Sequence, residues 1–215
     1  NGFRLEGIDA DDASGFSVAG AGDVNGDGID DLIIGAISAD RIENGFRHGE
    51  SYVVFGSASG FGAGVDLSTL DGRTGFRIAE SEYTYSGLSV ASAGDVNGDG
   101  IDDLIIGAGG VASVVFGSAS GFDASLDLGG LNGTNGFRLT GDFANFDLLG
   151  AGAGDVNGDG IDDLIITGPS SAPAGESYVV LGSDTGFGAS VDLETLDGTD
   201  GFRLRGIALY YNEYL

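Results

Sequence analysis

One thirteen-residue string, GDVNGDGIDDLII, occurs three times without a substitution, at residues 22–34, 94–106 and 154–166. In each copy Asp, Asn and Asp occupy alternate positions, and an Asp pair then leads into an apolar run. Oxygen-bearing side chains at this spacing, with a Gly that permits a sharp turn, surround a hard cation such as Ca²⁺. The chain is therefore predicted to be built from copies of one small unit that contains a metal-binding turn.

A second repeated block follows each string and sets the length of the unit. It occupies residues 52–72, 113–133 and 178–198, and leads at fixed spacing into a GFR[LI] segment at 75–78, 136–139 and 201–204. A fourth GFRL segment stands at residues 2–5. The period of roughly 60 to 70 residues is long enough for four strands and their loops.

The residue pattern of one unit predicts four strands, at residues 16–21, 31–36, 52–55 and 76–78. Leu32, Ile33 and Ile34 form a continuous apolar run, which is typical of a strand covered on both faces. No helix of useful length is indicated. We therefore expect an all-β fold of three tandem four-stranded antiparallel units, divided as follows: an orphan outer strand and link at 1–13, units at 14–78, 79–139 and 140–205, and a C-terminal tail at 206–215.

An arginine recurs at one place in the predicted fourth strand. Each of these arginines alternates with apolar neighbours, which predicts that it lies on the solvent-exposed face of its strand. They are Arg4, Arg77, Arg138 and Arg203. The pattern favours a charge that protects an exposed outer edge strand from pairing with another chain.

The repeated loop supplies a specific set of candidate metal ligands. Side-chain oxygens at positions 1, 3, 5 and 9 of the loop, with the backbone carbonyl at position 7, can wrap one ion. Asp30 and its equivalents at position 8 are expected to face solvent or to support the site from outside. A metal-free turn rich in Asp and Asn is the alternative, but converging carboxylates without a cation repel one another. The three predicted sites are Asp23, Asn25, Asp27, Ile29 and Asp31; Asp95, Asn97, Asp99, Ile101 and Asp103; and Asp155, Asn157, Asp159, Ile161 and Asp163.

Composition excludes several classes of function. The formal net charge is −26, with 34 acidic residues against eight basic ones, so a nucleic-acid partner is not expected. The absence of Cys excludes disulfides and thiolate metal sites. No apolar run reaches transmembrane length, and the first residues do not have the pattern of a signal peptide, so we expect no membrane insertion.

The connection between the second and third predicted strands is the most variable part of the unit. It spans residues 37–51 in the first unit, about 109–112 in the second and 168–177 in the third. In an antiparallel meander this connection lies at the end opposite the metal loops, which makes that end a candidate recognition face for a protein or a glycan. Its polar and aromatic candidates are Arg41, His48, Tyr83, Tyr85, Phe143 and Asn145.

The small-residue strand, the string DVNGDGIDDLIIGA and the following YVVFG strand resemble the FG-GAP repeat, the blade unit of integrin α-chain β-propellers and of many bacterial secreted proteins. The resemblance covers nearly the whole chain. It implies propeller-type blades, calcium at the ligand positions given above, an extracellular or cell-surface setting, and roles in adhesion, recognition or scaffolding. Family propellers commonly close with about seven blades, so three are incomplete as a closed propeller.

Three arrangements are left open: an excerpt of a longer propeller, several copies that close a ring, or an open stack of blades. The orphan strand at 2–5 suggests self-association by strand addition, as a ring or a fibre, and the Tyr-rich tail at 207–215 suggests a docking strand. A cut at a repeat boundary would explain the same ends.

The expected function is an extracellular calcium-binding structural or adhesive module that is not an enzyme. A calcium-stabilised carbohydrate-binding module is the alternative. A catalytic triad would depend on His48, the only histidine. Asn132 begins a sequence that fits the glycosylation sequon, which is a weak pattern.

Overall fold

A computed structural model describes residues 2–39, 48–80, 85–142, 147–168 and 175–206. Within these ranges the chain forms β-strands and three short 3₁₀ turns, at Leu67–Thr69, Leu128–Gly130 and Leu193–Thr195, which confirms the all-β expectation. The strands are β1 Arg4–Glu6, β2 Ser14–Gly22, β3 Asp31–Ala36, β4 Glu50–Val54, β5 Gly64–Asp66, β6 Gly75–Ala79, β7 Ser89–Gly94, β8 Asp103–Ala108, β9 Val111–Val115, β10 Ser125–Asp127, β11 Gly136–Thr140, β12 Leu149–Gly154, β13 Asp163–Gly168, β14 Glu176–Val180, β15 Ser190–Asp192 and β16 Gly201–Arg205.

Three four-stranded antiparallel blades account for most of these strands. Blade 1 has the order β2-β3-β4-β6, blade 2 the order β7-β8-β9-β11, and blade 3 the order β12-β13-β14-β16. Antiparallel order places the β2–β3 and β4–β6 connections at one end of blade 1 and the β3–β4 connection at the other. The unit boundaries proposed from the sequence stay predictions, and the tail from residue 207 onwards lies outside the described residues.

A fifth, parallel strand joins successive units, and the sequence did not reveal it. β5, β10 and β15 lie in the connection between the third and fourth strands of their own units, but each pairs with the fourth strand of the unit before it: β5 with β1, β10 with β6, and β15 with β11. The interpretation of the GFR[LI] segments as exposed outer edges is therefore wrong for β6 and β11. β10 covers the outer edge of β6, and β15 covers the outer edge of β11.

Two of the repeated arginines, Arg77 and Arg138, have buried partners that the edge-strand interpretation also missed. Arg77 lies 2.6 Å from the buried carboxylate of Glu50, and Arg138 lies 2.7 Å from that of Glu80. In blade 3 the half-buried Glu176 lies 3.9 Å from the repeated Arg203 and 3.0 Å from Arg205. A buried carboxylate needs such a cation, because leaving water unpaired is costly.

In the described residues, two hydrophobic clusters lie between blades and a third lies on the front side of blade 1. We name the face of a blade that packs on the following blade its back face, and the opposite face its front face. Ile33 and Phe76 on the back face of blade 1 pack in one cluster with Leu104 and Ile106 of blade 2. Ile34 packs on the front side of blade 1. The apolar run at 32–34 is therefore covered on both faces, as its sequence predicted.

An aromatic pair recurs at each junction. Phe76 stacks on Phe122 of blade 2, with ring centroids 4.2 Å apart, and Phe137 stacks on Phe187 of blade 3 at the same distance. Phe3 beside β1 stacks in the same way on Phe61 of blade 1. β1 therefore lies against blade 1 as the fourth strand of a blade lies against the blade that follows it.

Candidate metal site

Each repeated loop connects the first two strands of its blade, and glycine makes its path possible. In the first loop, Gly26 and Gly28 have φ angles of 71° and 87°, and the equivalent glycines of the other two loops also have positive φ. Residues with a Cβ rarely adopt this conformation. Glycine at these places lets the chain reverse so tightly that its polar side chains turn inward.

The first aspartate of the loop organises the turn through backbone N–H groups. The Asp23 carboxylate accepts hydrogen bonds from the Asp27 N–H at 2.9 Å and the Gly28 N–H at 2.7 Å. Asn25 Oδ1 accepts from the same Asp27 N–H, and Asp27 Oδ1 accepts from the Ile29 N–H. The second and third loops repeat these bonds. Four of the five predicted ligand residues therefore belong to one hydrogen-bonded turn.

The last aspartate of the loop is buried and joins the turn to the third strand. The Asp31 carboxylate accepts from the Val24 N–H at 3.0 Å and from the Gly56 N–H at 2.7 Å, just past β4. Asp103 and Asp163 make the equivalent pairs of bonds. All three side chains are buried, so this carboxylate fixes the loop to the sheet of its own blade.

The electrostatics of this position are unusual for an acid. Burial raises the pKa of Asp31 from 3.8 to about 6 and that of Asp103 to about 8. The charges of the two other loop aspartates contribute to these raised pKa values, while the N–H donors oppose the shift. The loop sequence contains no Lys, Arg or His. In these two loops, a buried carboxylate therefore faces two further acids without a cationic side chain in the loop.

The structure brings each predicted ligand set into a single loop, but it does not assemble a closed ion cage. In the described part of the chain, no group of three or more acidic or histidine side chains is arranged closely enough to hold a metal ion. The ligand assignments, including the carbonyls of Ile29, Ile101 and Ile161, therefore stay predictions.

The first aspartate of the Asp pair has a role that the sequence did not reveal. Asp102 Oδ2 accepts from the backbone N–H of Asp23, in the loop of the preceding blade, at 2.8 Å. Asp162 accepts from Asp95 in the same way at 3.0 Å. Asp30, the equivalent residue of blade 1, is exposed. An Asp at this position therefore connects the first and second loops to the blade that follows each of them.

A backbone bond reinforces each junction. The Ser118 N–H donates to the Val24 carbonyl at 2.9 Å, and the Ser183 N–H donates to the Val96 carbonyl at 2.9 Å. A Cβ on Gly22 would stand 2.3 Å from an Asp102 carboxylate oxygen, so glycine is required for this close approach. In the sequence, this contact between blades was indicated only by the exact recurrence of the Gly and of the Asp pair.

The opposite end of the blades holds the candidate recognition residues. Among them, Arg41, Tyr83, Phe143 and Asn145 lie outside the described residues. Tyr85 is exposed, and the His48 carbonyl accepts from the Ser86 N–H at 2.8 Å, which joins the loops of blades 1 and 2. Recognition at this end stays a prediction.

No helix within the described ranges is both long enough and apolar enough to cross a membrane.

Asn132 is exposed in a tight turn, where its Oδ1 accepts from the Thr134 hydroxyl at 2.6 Å. The surroundings of Asn132 therefore leave it accessible, and its glycosylation stays untested.

Comparison with known proteins identifies the repeat. The model of the family described as FG-GAP repeat matches residues 14–53, 86–121 and 150–180. These three matches fall one on each blade and include the three loops, which confirms the resemblance drawn from the sequence.

Integrin α chains are among the similar proteins. The chain is 31% identical to integrin alpha-V of Gallus gallus over 191 residues, which covers 81% of this chain and 16% of that protein. It is 34% identical to integrin alpha-PS2 of Drosophila melanogaster over 109 residues, covering 49% and 7%, and 35% identical to integrin alpha-5 of Xenopus laevis over 161 residues, covering 71% and 14%. The chain therefore spans less than a fifth of the length of these relatives.

Proposed function

We propose that this chain, which belongs to the FG-GAP repeat family, is a non-catalytic extracellular module whose three loops bind Ca²⁺. The ions hold neighbouring blades in a fixed stack, and the stack serves adhesion or scaffolding. The adhesive part of this proposal rests on the similarity to integrin α chains.

The buried carboxylate at the end of the loop is the observation that carries the calcium proposal. Asp31 and Asp103 have raised pKa values because burial and neighbouring acids disfavour their charged form. A divalent cation among these groups would reverse that preference. Its two positive charges would offset two of the three carboxylate charges of one loop.

The donor set suits Ca²⁺ better than other ions. Each loop offers three carboxylates, one amide oxygen and a carbonyl, which is all-oxygen chemistry on a flexible turn. Mg²⁺ requires a tighter octahedron and retains more of its waters. Each carboxylate or amide oxygen can accept two bonds. The N–H bonds already made therefore leave room for a metal at Asp23, Asn25, Asp27 and Asp31.

The position of the loops supports a structural role for the ion. Asp23 and Val24 of the first loop bond directly to Asp102 and Ser118 of blade 2. An ion that orders this loop would therefore also order the junction. Ion binding would therefore stabilise the turn and the packing of the two blades together.

Calcium titration of the metal-free protein by calorimetry tests the proposal. We expect three sites in the wild type and two in Asp27→Ala, because that variant removes one ligand of the first loop. Asp30→Ala is the matched control, since it removes an equal charge from the same loop outside the ligand set, and it should retain three sites. An unchanged number of sites in Asp27→Ala would contradict the ligand assignment.

A further inference from the structure

Neighbouring loops are joined by a pair of hydrogen bonds, which we call the bridge. At the first junction, Asp102 Oδ2 of the second loop accepts from the Asp23 N–H of the first loop at 2.8 Å, and the Asp102 N–H donates to the Asp23 carbonyl at 3.3 Å. Asp162 of the third loop makes the same two bonds with Asp95 of the second loop, at 3.0 and 3.1 Å. Each bridge therefore includes the first predicted ligand of the earlier loop.

The bridging aspartate is the chain neighbour of a predicted ligand in its own loop. Asp103 follows Asp102 directly and is buried. Its carboxylate is held by the N–H groups of Val96 at 3.0 Å and Gly117 at 2.8 Å. One planar peptide bond joins the two aspartates, so the position of Asp102 restricts the position of Asp103.

A second connection runs beside the bridge through two consecutive N–H groups. The Gly117 N–H donates to Asp103 of the second loop, and the next N–H, that of Ser118, donates to the Val24 carbonyl of the first loop at 2.9 Å. The junction of blades 2 and 3 repeats both bonds. The first two loops are therefore joined both through the bridge and through the segment that follows β9.

The atoms at the junction are closely packed. A Cβ on Gly117 would stand 2.5 Å from Cγ2 of Ile101 and 3.0 Å from the Val24 carbonyl oxygen. A Cβ on Gly26 of the first loop would lie 3.5 Å from Cδ1 of the same isoleucine, whose carbonyl is a predicted ligand of the second loop. Close-packed groups transmit a displacement to their neighbours, so a change in one loop is expected to reach the other.

We propose that Asp102 and Asp162 are positioning residues that couple calcium binding in neighbouring loops, so that filling one loop raises the affinity of the next. This inference rests on the proposed function, because it requires that the loops bind calcium. When the first loop is ordered, the Asp23 N–H is fixed, and it holds Asp102 and the adjoining Asp103 in place. By thermodynamic linkage, the second loop raises the affinity of the first by the same factor.

The coupling is expected to act between neighbours. One bridge joins the first loop to the second, and the other joins the second loop to the third. The second loop takes part in both. Its affinity should therefore depend most strongly on whether the other two loops are filled.

A calcium titration followed by NMR tests the coupling loop by loop. The amide signals of Gly28, Gly100 and Gly160 report on the three loops, because each N–H bonds to the first aspartate of its own loop. In the wild type, the second loop should fill more steeply than an independent site. Asp27→Ala removes a ligand of the first loop and should lower the affinity of the second loop by about fivefold or more, and that of the third loop by less.

Variants of the bridge show whether Asp102 carries the effect. In an Asp102→Ala background, Asp27→Ala should no longer change the affinity of the second loop. Asp102→Asn retains an oxygen that can accept from the Asp23 N–H, so it should retain the coupling although the charge is lost. Asp30→Ala removes the same charge at the same position of the first loop, where the side chain is exposed, and should leave the coupling unchanged.

Two results would overturn the coupling. If Asp27→Ala leaves the affinity of the second loop unchanged, neighbouring loops bind calcium independently. If Asp102→Ala weakens all three loops equally, folding of the whole chain links them rather than the bridge. With either result, three filled loops in the wild type would still support the proposed function. A wild type that binds no calcium would contradict the proposed function and the coupling together.

Discussion

The first and third loops have the same thirteen residues, yet their surroundings differ. In the first loop, Val24 is buried and Asp23 bonds to Asp102 of the following blade. In the third loop, Val156 is exposed, and no blade follows within the described residues. The first aspartate of both loops nevertheless accepts the same two backbone bonds, and in the third loop it also accepts one from the Gly158 N–H at 2.6 Å.

The difference separates two contributions to one loop. Turn geometry and the anchoring of the last aspartate come from residues of the same blade, so all three loops have them. The next blade buries the second residue of the loop, such as Val24, and accepts a hydrogen bond from the N–H of the first residue, such as Asp23. Only the first two loops have these contacts. The following predictions test whether this separation has energetic consequences.

Removal of calcium should have the largest effect, because it acts on all three loops. At a free concentration near 100 times the dissociation constant, each site adds roughly 2.7 kcal/mol, or about 8 kcal/mol for three sites. Thermal unfolding with EDTA should therefore begin at a much lower temperature than in calcium. A melting temperature that does not respond to chelation would exclude a structural role for the ion.

The pH dependence of the metal-free protein should have an unusual sign. The pKa of Asp103 is raised to about 8 when folded, so the folded state retains a proton that the unfolded state releases near pH 4. The stability of the EDTA-treated protein should therefore fall as pH rises from about 4 to 8. Calcium should abolish the fall, because it binds the ionised form. Melting curves across this range, with Asp103→Asn as the variant expected to have a smaller slope, check the prediction.

Paired phenylalanine variants test the covered and uncovered faces directly. Phe137→Ala removes a fully buried ring that stacks on Phe187, and we expect a loss of about 3–5 kcal/mol in the free energy of unfolding. Phe202→Ala removes the equivalent ring from the exposed face, with an expected loss below about 1 kcal/mol. Urea unfolding of dilute protein in calcium measures both. Equal losses would mean that blade 3 is covered in solution.

The Asp pair offers a smaller version of the same test. Asp102→Ala removes the acceptor of the Asp23 N–H and should cost about 1–3 kcal/mol. Asp30→Ala changes the equivalent residue where no preceding loop is described, and should stay within about 0.5 kcal/mol. If the two variants are equally stable, the hydrogen bond across the junction has no net value.

Much of the fold could be predicted because its signals are local. The alternation of Phe76, Arg77 and Ile78 indicated a strand, and the apolar run at 32–34 indicated a strand with two covered faces. The loop residues were likewise predicted as one group, because glycine and oxygen-bearing side chains close a turn within nine positions. The ion itself remains a prediction.

The errors arose where a partner came from another unit. The edge interpretation of Arg77 failed because β10, in the next unit, pairs with β6. Asp102 was expected either to face solvent or to support its own loop from outside, whereas it accepts from the Asp23 N–H, 79 positions earlier. Nothing in the sequence around either residue identifies its partner.

The sequence by itself determined the repeated strands, the turn chemistry of the loops and the acidic character of the chain, because these depend on residues a few positions apart. Only the tertiary structure decided which blade faces are buried, which Asp joins neighbouring blades, and that β1 lies beside β5. Burial is a property of what packs against a surface. Identical residues therefore have different environments in a blade that another described blade covers and in a blade that none covers.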